Sequence, residues 1–259
     1  MRKISQDYHI VKVIIDGRGG VGKTTMLKSL TSGNFDPKTE ITIGVDFFSK
    51  QYNLFDYNVL GLFWDLGGVN RFDFLRESFY DGAHSIILVG DLTRSTTFED
   101  LKYFIDTAKN VNINSDQIIL VGNKTDLFDF RSIIPSYLEL FSEQFEVAEL
   151  IETSARFNDN LELVFELAIA IGLHKQGILK DNIFEDYKET FENRIQKPVL
   201  DPSQKIVRKC WECKRTLFFS EFSSTNSSIS KERLINLWES NYIEFLCCSC
   251  YKNKEKNNI

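Results

Sequence analysis

Apolar positions along this chain fall into two patterns that alternate. His9 to Asp16 (HIVKVIID), Ser85 to Asp91 (SIILVGD) and Gln117 to Asn123 (QIILVGN) are short, nearly continuous apolar runs rich in Val and Ile. Runs of that kind predict strands buried on both faces. Phe47 to Phe55 and Tyr57 to Asp65 predict two more strands joined by a short turn, and Val147 to Glu152 a shorter one. Between them, helical spacing predicts helices over Lys23 to Thr31, Arg71 to Tyr80, Thr97 to Asn110, Arg131 to Phe141 and Asn160 to His174. Strands alternating with helices specify an α/β domain, with a mostly parallel sheet covered on both faces. Such sheets bind ligands at the carboxyl ends of their strands.

The pattern changes after Leu173. Phe184, Tyr187, Phe191 and Ile195 recur at helical spacing, which predicts an amphipathic connecting helix over residues 181–196. Pro198 and Pro202 mark a break, and a cysteine-bearing segment follows. The expected organisation is an α/β domain at 8–174, a helical linker at 175–202, a cysteine module at 203–251 and a disordered Asn/Lys-rich tail at 252–259.

Composition adds limits. The content is 42% hydrophobic and 26% charged, ordinary for a globular protein. No stretch of 18 or more apolar residues predicts a membrane span. The first seven residues (MRKISQD) lack the apolar core of a signal peptide. Net charge is −6, but from Pro202 onward ten Lys/Arg face six Asp/Glu, a net of +4 that leaves −10 on the rest. All five cysteines lie between 210 and 250. Clustered cysteines without a secretory signal read better as metal ligands than as disulfides, and a reducing cytoplasm is the expected compartment. Peripheral membrane association is compatible with this.

The first chemical motif is Gly17-Arg18-Gly19-Gly20-Val21-Gly22-Lys23-Thr24, a P-loop pattern set between a strand and a helix. Glycines let the backbone wrap phosphate, and amide N–H groups and the helix N-terminus supply positive potential. Lys23 is expected to neutralise the β- and γ-phosphates, Thr24 to ligate Mg²⁺, and Gly19, Gly20, Val21, Gly22 and Thr25 to complete the phosphate contacts. Arg18 reads as a solvated surface residue.

The second motif, Asn123-Lys124-Thr125-Asp126, follows a predicted strand directly. Together the two motifs resemble the small GTPases of the Ras superfamily, over about 165 residues. The resemblance implies a P-loop G domain and assigns roles by position. Asp126 would accept from guanine N1–H and the 2-amino group, which adenine cannot offer. Asn123 would contact the base edge and tie loops together, and the Lys124 stem would cover one face of the base. Glu152-Thr153-Ser154-Ala155 matches the family's last motif, with the Ala155 N–H aimed at guanine O6 and Ser154 beside it. Arg156 stands where the family usually has Lys. Phe35, seven residues before Thr42, would lie on the guanine face; an ordinary core Phe is the other reading.

Thr42-Ile43-Gly44-Val45-Asp46-Phe47 resembles the Rab branch, and Thr42 would bind Mg²⁺ and sense the γ-phosphate. Asp65-Leu66-Gly67-Gly68 fills the DxxG motif, with Asp65 holding Mg²⁺ through water and the Gly68 N–H on the γ-phosphate. Trp64 to Gly68 is similar to the Arf branch, whereas Arg71-Phe72 and Gly82-Ala83-His84 look Rab-like. His84 reads as a packing residue. Val69 is the departure. The family normally places there a Gln that orients the attacking water, and a valine side chain can neither donate nor accept. Slow hydrolysis is the expectation; the alternative is that Asn70 or a partner residue positions the water. Gly19 leaves room beside the γ-phosphate for an arginine finger.

Cys210-x-x-Cys213 and Cys247-x-x-Cys250 are separated by 33 residues. Two such knuckles supply four thiolates for a structural, tetrahedral Zn²⁺. Cys248 could replace Cys247. The insert is expected to hold a strand at Thr216 to Phe219, a helix at Lys231 to Ser240 and a strand at Tyr242 to Leu246. Nine residues follow Cys250, so no prenylation motif is expected.

The function these readings imply is a Mg²⁺-dependent GTP/GDP switch with weak GTPase activity. An effector would dock on switches I and II, served by an exchange factor and an activating protein. The Rab resemblance implies signalling or vesicle traffic. Lys23, Thr42, Gly68 and the Val69 position would govern hydrolysis. Two alternatives stand beside it: a constitutively GTP-bound interaction scaffold, and a GTP-regulated nucleic-acid binder working through the zinc module. Acidic residues mixed among the basic ones make nucleic acid the weaker partner.

Overall fold

The structure is a computed structural model. It describes residues 8–33, 40, 42–68, 74–196, 208–210, 213, 216, 217 and 222. The elements are β1 (His9–Asp16), α1 (Lys23–Ser32), β2 (Val45–Leu54), β3 (Tyr57–Leu66), α2 (Arg76–Tyr80), β4 (Ser85–Asp91), α3 (Thr96–Glu99), α4 (Leu101–Asn110), β5 (Ile118–Asn123), α5 (Pro135–Phe145), β6 (Glu149–Thr153), α6 (Leu161–Lys175) and α7 (Asp181–Glu192). Two short strands, β7 (Arg208–Lys209) and β8 (Thr216–Leu217), pair antiparallel. The main sheet has the order β2-β3-β1-β4-β5-β6. Only the β2–β3 pair in it is antiparallel.

The strand alternation sorts the core into two layers. Val11, Val13, Ile15, Ile87, Val89, Ile119 and Val121 face α1 and α6 on one side. Ile14, Ile86, Leu88, Ile118 and Leu120 face α4 and α5 on the other. A central strand with both faces buried must be apolar at every position, which is why these runs read continuously in the sequence.

Element boundaries moved where local chemistry opposed the periodicity. The helix expected from Arg131 begins at Pro135, with proline in its first turn. Ile134 before it is extended (ψ 150°), as a residue preceding proline prefers. Arg131 instead turns inward to pair with Glu152 at 2.5 Å. That helix runs on to Phe145 and stops at Glu146 in left-handed backbone (φ 53°). The helix expected over Thr97 to Asn110 comes as two segments meeting at Asp100. Of the helix expected over Arg71 to Tyr80, Arg76–Tyr80 forms; residues 71–73 lie outside the described residues.

The helix expected as a connector does more than connect. Phe184, Tyr187 and Phe191 of α7 are buried in the same core layer as Leu173 and Leu179, with Phe55 and Tyr57 packed against them. Arg194 pairs with Glu166 of α6 at 2.6 Å, and Asn160 Nδ2 donates to Gln196 O at 2.8 Å. Among the described residues, no helix is long and apolar enough to cross a membrane.

Candidate functional site

The site lies along the carboxyl ends of β1, β3, β4, β5 and β6. After Asp16 the chain turns at Gly17 and wraps through Gly19, Gly20 (φ 75°) and Val21 to Gly22, the residue before α1. Gly22 requires glycine twice over. Its φ is 105°, and a Cβ there would overlap Asn123 Nδ2. Lys23 then opens α1 with its side chain buried, and its ammonium donates to Gly17 O at 2.6 Å and Arg18 O at 3.2 Å. Burial pulls the Lys23 pKa below the usual lysine range, while Asp16 and Asp65 pull it back up. A lysine ammonium buried at the turn between β1 and α1 brings to the loop the positive charge that suits a phosphate.

Thr24, Thr42 and Asp65 come from three separate elements and meet. Thr24 Oγ1 and Thr42 Oγ1 are 2.6 Å apart. Thr24 Oγ1 also donates to Asp65 Oδ2, and Thr42 Oγ1 does so at 3.4 Å. Asp65 is fully buried, and its Oδ1 has no hydrogen-bond partner among the described residues. Burial holds its pKa above the usual carboxylate range, against the Thr24 hydrogen bond and the Lys23 charge. Two hydroxyls and a buried carboxylate with an unmet oxygen are hard oxygen donors, the set that suits Mg²⁺. Thr25 lies in the first turn of α1, half-buried.

Gly67 and Gly68 close the site from the other side. Gly67 N–H donates to Gly44 O at 2.8 Å. A Cβ on Gly68 would overlap Gly19 N and sit 2.5 Å from the Arg18 carbonyl carbon, so the loop after β3 rests directly on the phosphate loop.

At the far end, Asn123 ties three segments. Its Nδ2 donates to Val21 O at 2.9 Å, and its Oδ1 accepts from Thr153 Oγ1 at 3.1 Å and from Ala155 N–H at 3.2 Å. The Ala155 N–H expected at guanine O6 is thus turned toward Asn123. Lys124, in left-handed backbone (φ 74°), sends its ammonium to Gly20 O at 2.9 Å and Asp91 Oδ2 at 2.8 Å. Burial pushes the Asp91 pKa up, but hydrogen bonds from Lys124 and Thr93 overcome it and hold the carboxyl below its usual range. Asp126 accepts from the buried Ser154 hydroxyl at 2.8 Å. Arg156 is exposed, its guanidinium 5.2 Å from the Phe157 ring centroid.

Phe35 and Val69 lie outside the described residues. So do Cys247, Cys248 and Cys250. Cys210 is buried and Cys213 exposed, both between β7 and β8. Among the described residues, no group of three or more His, Cys, Asp or Glu side chains could hold a metal.

Three features escaped sequence reading. Arg18 is not a solvated residue: it pairs with Asp100 at 2.8 Å over the Phe104 ring. Arg94 reaches Asp91 Oδ2 at 2.8 Å and Gly19 O at 3.1 Å. Asp16 is fully buried against Arg76 and Tyr80. An aspartate closing an apolar run was the available signal for the third. His84 packs as expected: its Nδ1 accepts from Lys12 N–H at 2.9 Å, and burial lowers its pKa.

A lysine buried beneath backbone amides at a strand-to-helix turn has one common use, holding the phosphates of a nucleotide, and the class defined is that of P-loop nucleotide-binding domains. The chain belongs to the Ras family, whose model matches residues 12–172. It is similar to human Ras-related protein Rab-19, at 33% identity over 174 residues covering 65% of this chain and 80% of that protein. Human Rab-30 is 35% identical over 181 residues, 69% of this chain and 89% of the relative. Rab-19 of Xenopus laevis is 31% identical over 198 residues, 75% and 90%. The chain is therefore a Rab-like small GTPase of the Ras superfamily.

Proposed function

We propose that this chain is a Mg²⁺-dependent GTP/GDP switch that hydrolyses GTP slowly. The observation that carries the reading is the convergence of Thr24, Thr42 and Asp65 beside Lys23, with a buried Asp65 oxygen unmet among the described residues. Mg²⁺ held there through Thr24, Thr42 and, by way of water, Asp65 would offset the charge of the β- and γ-phosphates. Lys23 would exchange the carbonyls of Gly17 and Arg18 for phosphate oxygens. The Gly68 N–H would donate to the γ-phosphate, so its loss would release both switches. Asp126 would select guanine, because adenine leaves a carboxylate unpaired.

Hydrolysis needs a water held in line with the γ-phosphorus. The Val69 side chain can offer it no hydrogen bond, so the barrier would stay high even with the phosphates well held. Signalling would then depend on the lifetime of the GTP-bound form. The effector surface this supports is aromatic: Phe47 stands edge-on to Trp64 at 4.8 Å and Trp64 to Phe79 at 6.4 Å, and Ile43 and Phe74 are also exposed. An exchange factor and an activating protein would act on the same switches, and the Rab likeness supports a role in vesicle traffic. Cys210, Cys213, Cys247 and Cys250 are proposed to hold a structural Zn²⁺ apart from the nucleotide.

The deciding experiment is single-turnover GTP hydrolysis by the Mg²⁺-loaded protein beside Val69→Gln. Slow native turnover restored by Gln supports the reading. Native turnover equal to or faster than Val69→Gln overturns the role given to Val69, and a native protein with no turnover at all would make it a GTP-bound scaffold.

A further inference from the structure

Asn160 stands between β6 and α6, 7% exposed and in left-handed backbone (φ 55°), a conformation asparagine accepts more readily than most residues. Its amide is used on both sides. Nδ2 donates to Glu152 O and to Gln196 O, each at 2.8 Å, and Oδ1 accepts the Gln196 N–H at 2.9 Å. The bond to Glu152 O closes the loop 154–159 across its base, outside the bridge in which Ser154 N–H donates to Asp159 O at 3.3 Å. That loop carries Ser154, bonded to Asp126, and Ala155, bonded to Asn123. The other two bonds pair the amide with the main chain of Gln196, as a neighbouring strand would.

Gln196 is brought there by α7. Phe184, Tyr187 and Phe191 bury the inner face of that helix in the core of the α/β domain, and Tyr187 meets Phe55 edge-on at 5.2 Å. The Tyr187 hydroxyl donates to Glu166 at 3.1 Å, Arg194 grips both Glu166 oxygens at 2.6 and 2.7 Å, and Ile195 packs against the same core layer. The entropy of ordering this segment is thus offset by apolar burial, and Gln196 meets Asn160 as a preset partner. If Gln196 leaves, a buried amide loses two of its three bonds, which is costly.

We propose that the segment closing α7 is a built-in brake on nucleotide release, acting through Asn160 as a positioning residue. α7 holds Gln196, Gln196 holds the Asn160 amide, and Asn160 holds the base of the loop that faces guanine. Neither Asn160 nor Gln196 touches the nucleotide. This rests on the guanine-nucleotide reading above, and it makes the helix beyond the α/β pattern part of the nucleotide-binding unit.

The test is the rate at which the full chain releases fluorescently labelled GDP, with Mg²⁺ and with the metal chelated. Glycine accepts left-handed backbone, so Asn160→Gly removes the amide without straining the turn. Ile195→Asp loosens the segment before Gln196 at a site away from the loop. Each should speed release at least about fivefold, the scale of one or two lost hydrogen bonds. The double variant should be within about twofold of the faster single, because both changes break one link. The factor by which Mg²⁺ slows release should stay native, since Thr24 and Asp65 lie at the other end of the site. Ile195→Asp releasing GDP at the native rate overturns the proposal, as do effects that multiply in the double variant. A changed Mg²⁺ factor overturns it too, because the variants would then loosen the whole domain. Should Ile195→Asp fail to fold, Arg194→Glu, at a half-exposed site against Glu166, replaces it under the same criteria. Native binding of labelled GDP is measured first: a chain that binds none takes the switch reading down before release is compared.

Discussion

Thr24 Oγ1 donates a hydrogen bond to the Asp65 carboxylate, joining the start of α1 to the end of β3 across 41 residues of sequence. Thr42 Oγ1 stands 2.6 Å from the same threonine oxygen. Switch I, the phosphate loop and the DxxG segment therefore share one polar node, and a cation there would be felt by all three.

Asp65 should govern Mg²⁺ affinity. Asp65→Asn keeps the shape and an acceptor for Thr24 but removes the charge. A residue holding a metal through water typically loses about 10–100-fold in metal affinity when altered, and that drop is expected in a Mg²⁺ titration of labelled-GDP release. The pH dependence has a definite sign. Burial raises the Asp65 pKa in the folded protein above its unfolded value. The metal-free protein should therefore gain stability as pH falls from neutrality through that raised pKa, and lose it again as pH rises. Mg²⁺ prefers the charged carboxylate, so saturating Mg²⁺ should flatten the slope. A metal-free melting temperature independent of pH above the usual carboxylate range would refute this.

Gly68 should separate GTP from GDP. A Cβ at this position overlaps Gly19 N, so Gly68→Ala must lift the loop off the phosphate loop. Overpacking of this kind costs about 1–3 kcal/mol, which is roughly 5–150-fold in a binding constant. The loss should fall on GTP, whose γ-phosphate needs the Gly68 N–H, while GDP affinity stays within about threefold. Competition binding with both nucleotides measures the ratio. Equal losses for the two would mean that Gly68 supports the loop without sensing the γ-phosphate.

How much of this was legible in the sequence depends on the range of the interactions involved. The central strands and α1 follow from local pattern, and Lys23–Ser32 and Ser85–Asp91 sit within a residue of expectation. The start of α5 departs from the helical periodicity because Pro135 holds Ile134 in extended backbone, so the helix opens at the proline and not at Arg131. The Asn123 ties to Val21 and Ala155 were foreseen in kind, since a known motif names the residue. The Asp16–Arg76 pair was not. Its members are 60 residues apart, and no local pattern marks which arginine will be buried. The connecting helix was seen as amphipathic, but that its apolar face would join the core of the α/β domain needed the packing of Phe55 and Tyr57 against it.

Asp126 should set base choice. Its carboxylate is held by the Ser154 hydroxyl at 2.8 Å, which fixes its direction. A carboxylate accepts from N1–H and the 2-amino group of guanine, whereas an amide presents a donor where the 2-amino group lies. Asp126→Asn should therefore lose at least about 100-fold in GTP affinity, since a charged acceptor is replaced and a donor faces a donor. Xanthine carries a carbonyl at C2 and should bind the variant better than guanine does. A variant that still prefers GTP over XTP would place base recognition elsewhere.

The zinc proposed for the C-terminal module predicts a stoichiometry and a dissociation from nucleotide binding. Cys210 and Cys213 lie between the paired strands β7 and β8, a turn from which two thiolates can be offered together. With Cys247 and Cys250, one Zn²⁺ per chain is expected by elemental analysis. Cys210→Ser should lower the zinc content and make the rest labile to a chelator, because three ligands hold the ion less tightly than four. Cys248→Ser should leave it unchanged if Cys247 is the ligand. Affinity for GDP should be unaltered in both variants, since none of the residues proposed to hold nucleotide lies beyond Arg156. A chain purified with no zinc and unaffected by Cys210→Ser would leave the cysteines as buried or reactive thiols, and the module would need another source of stability.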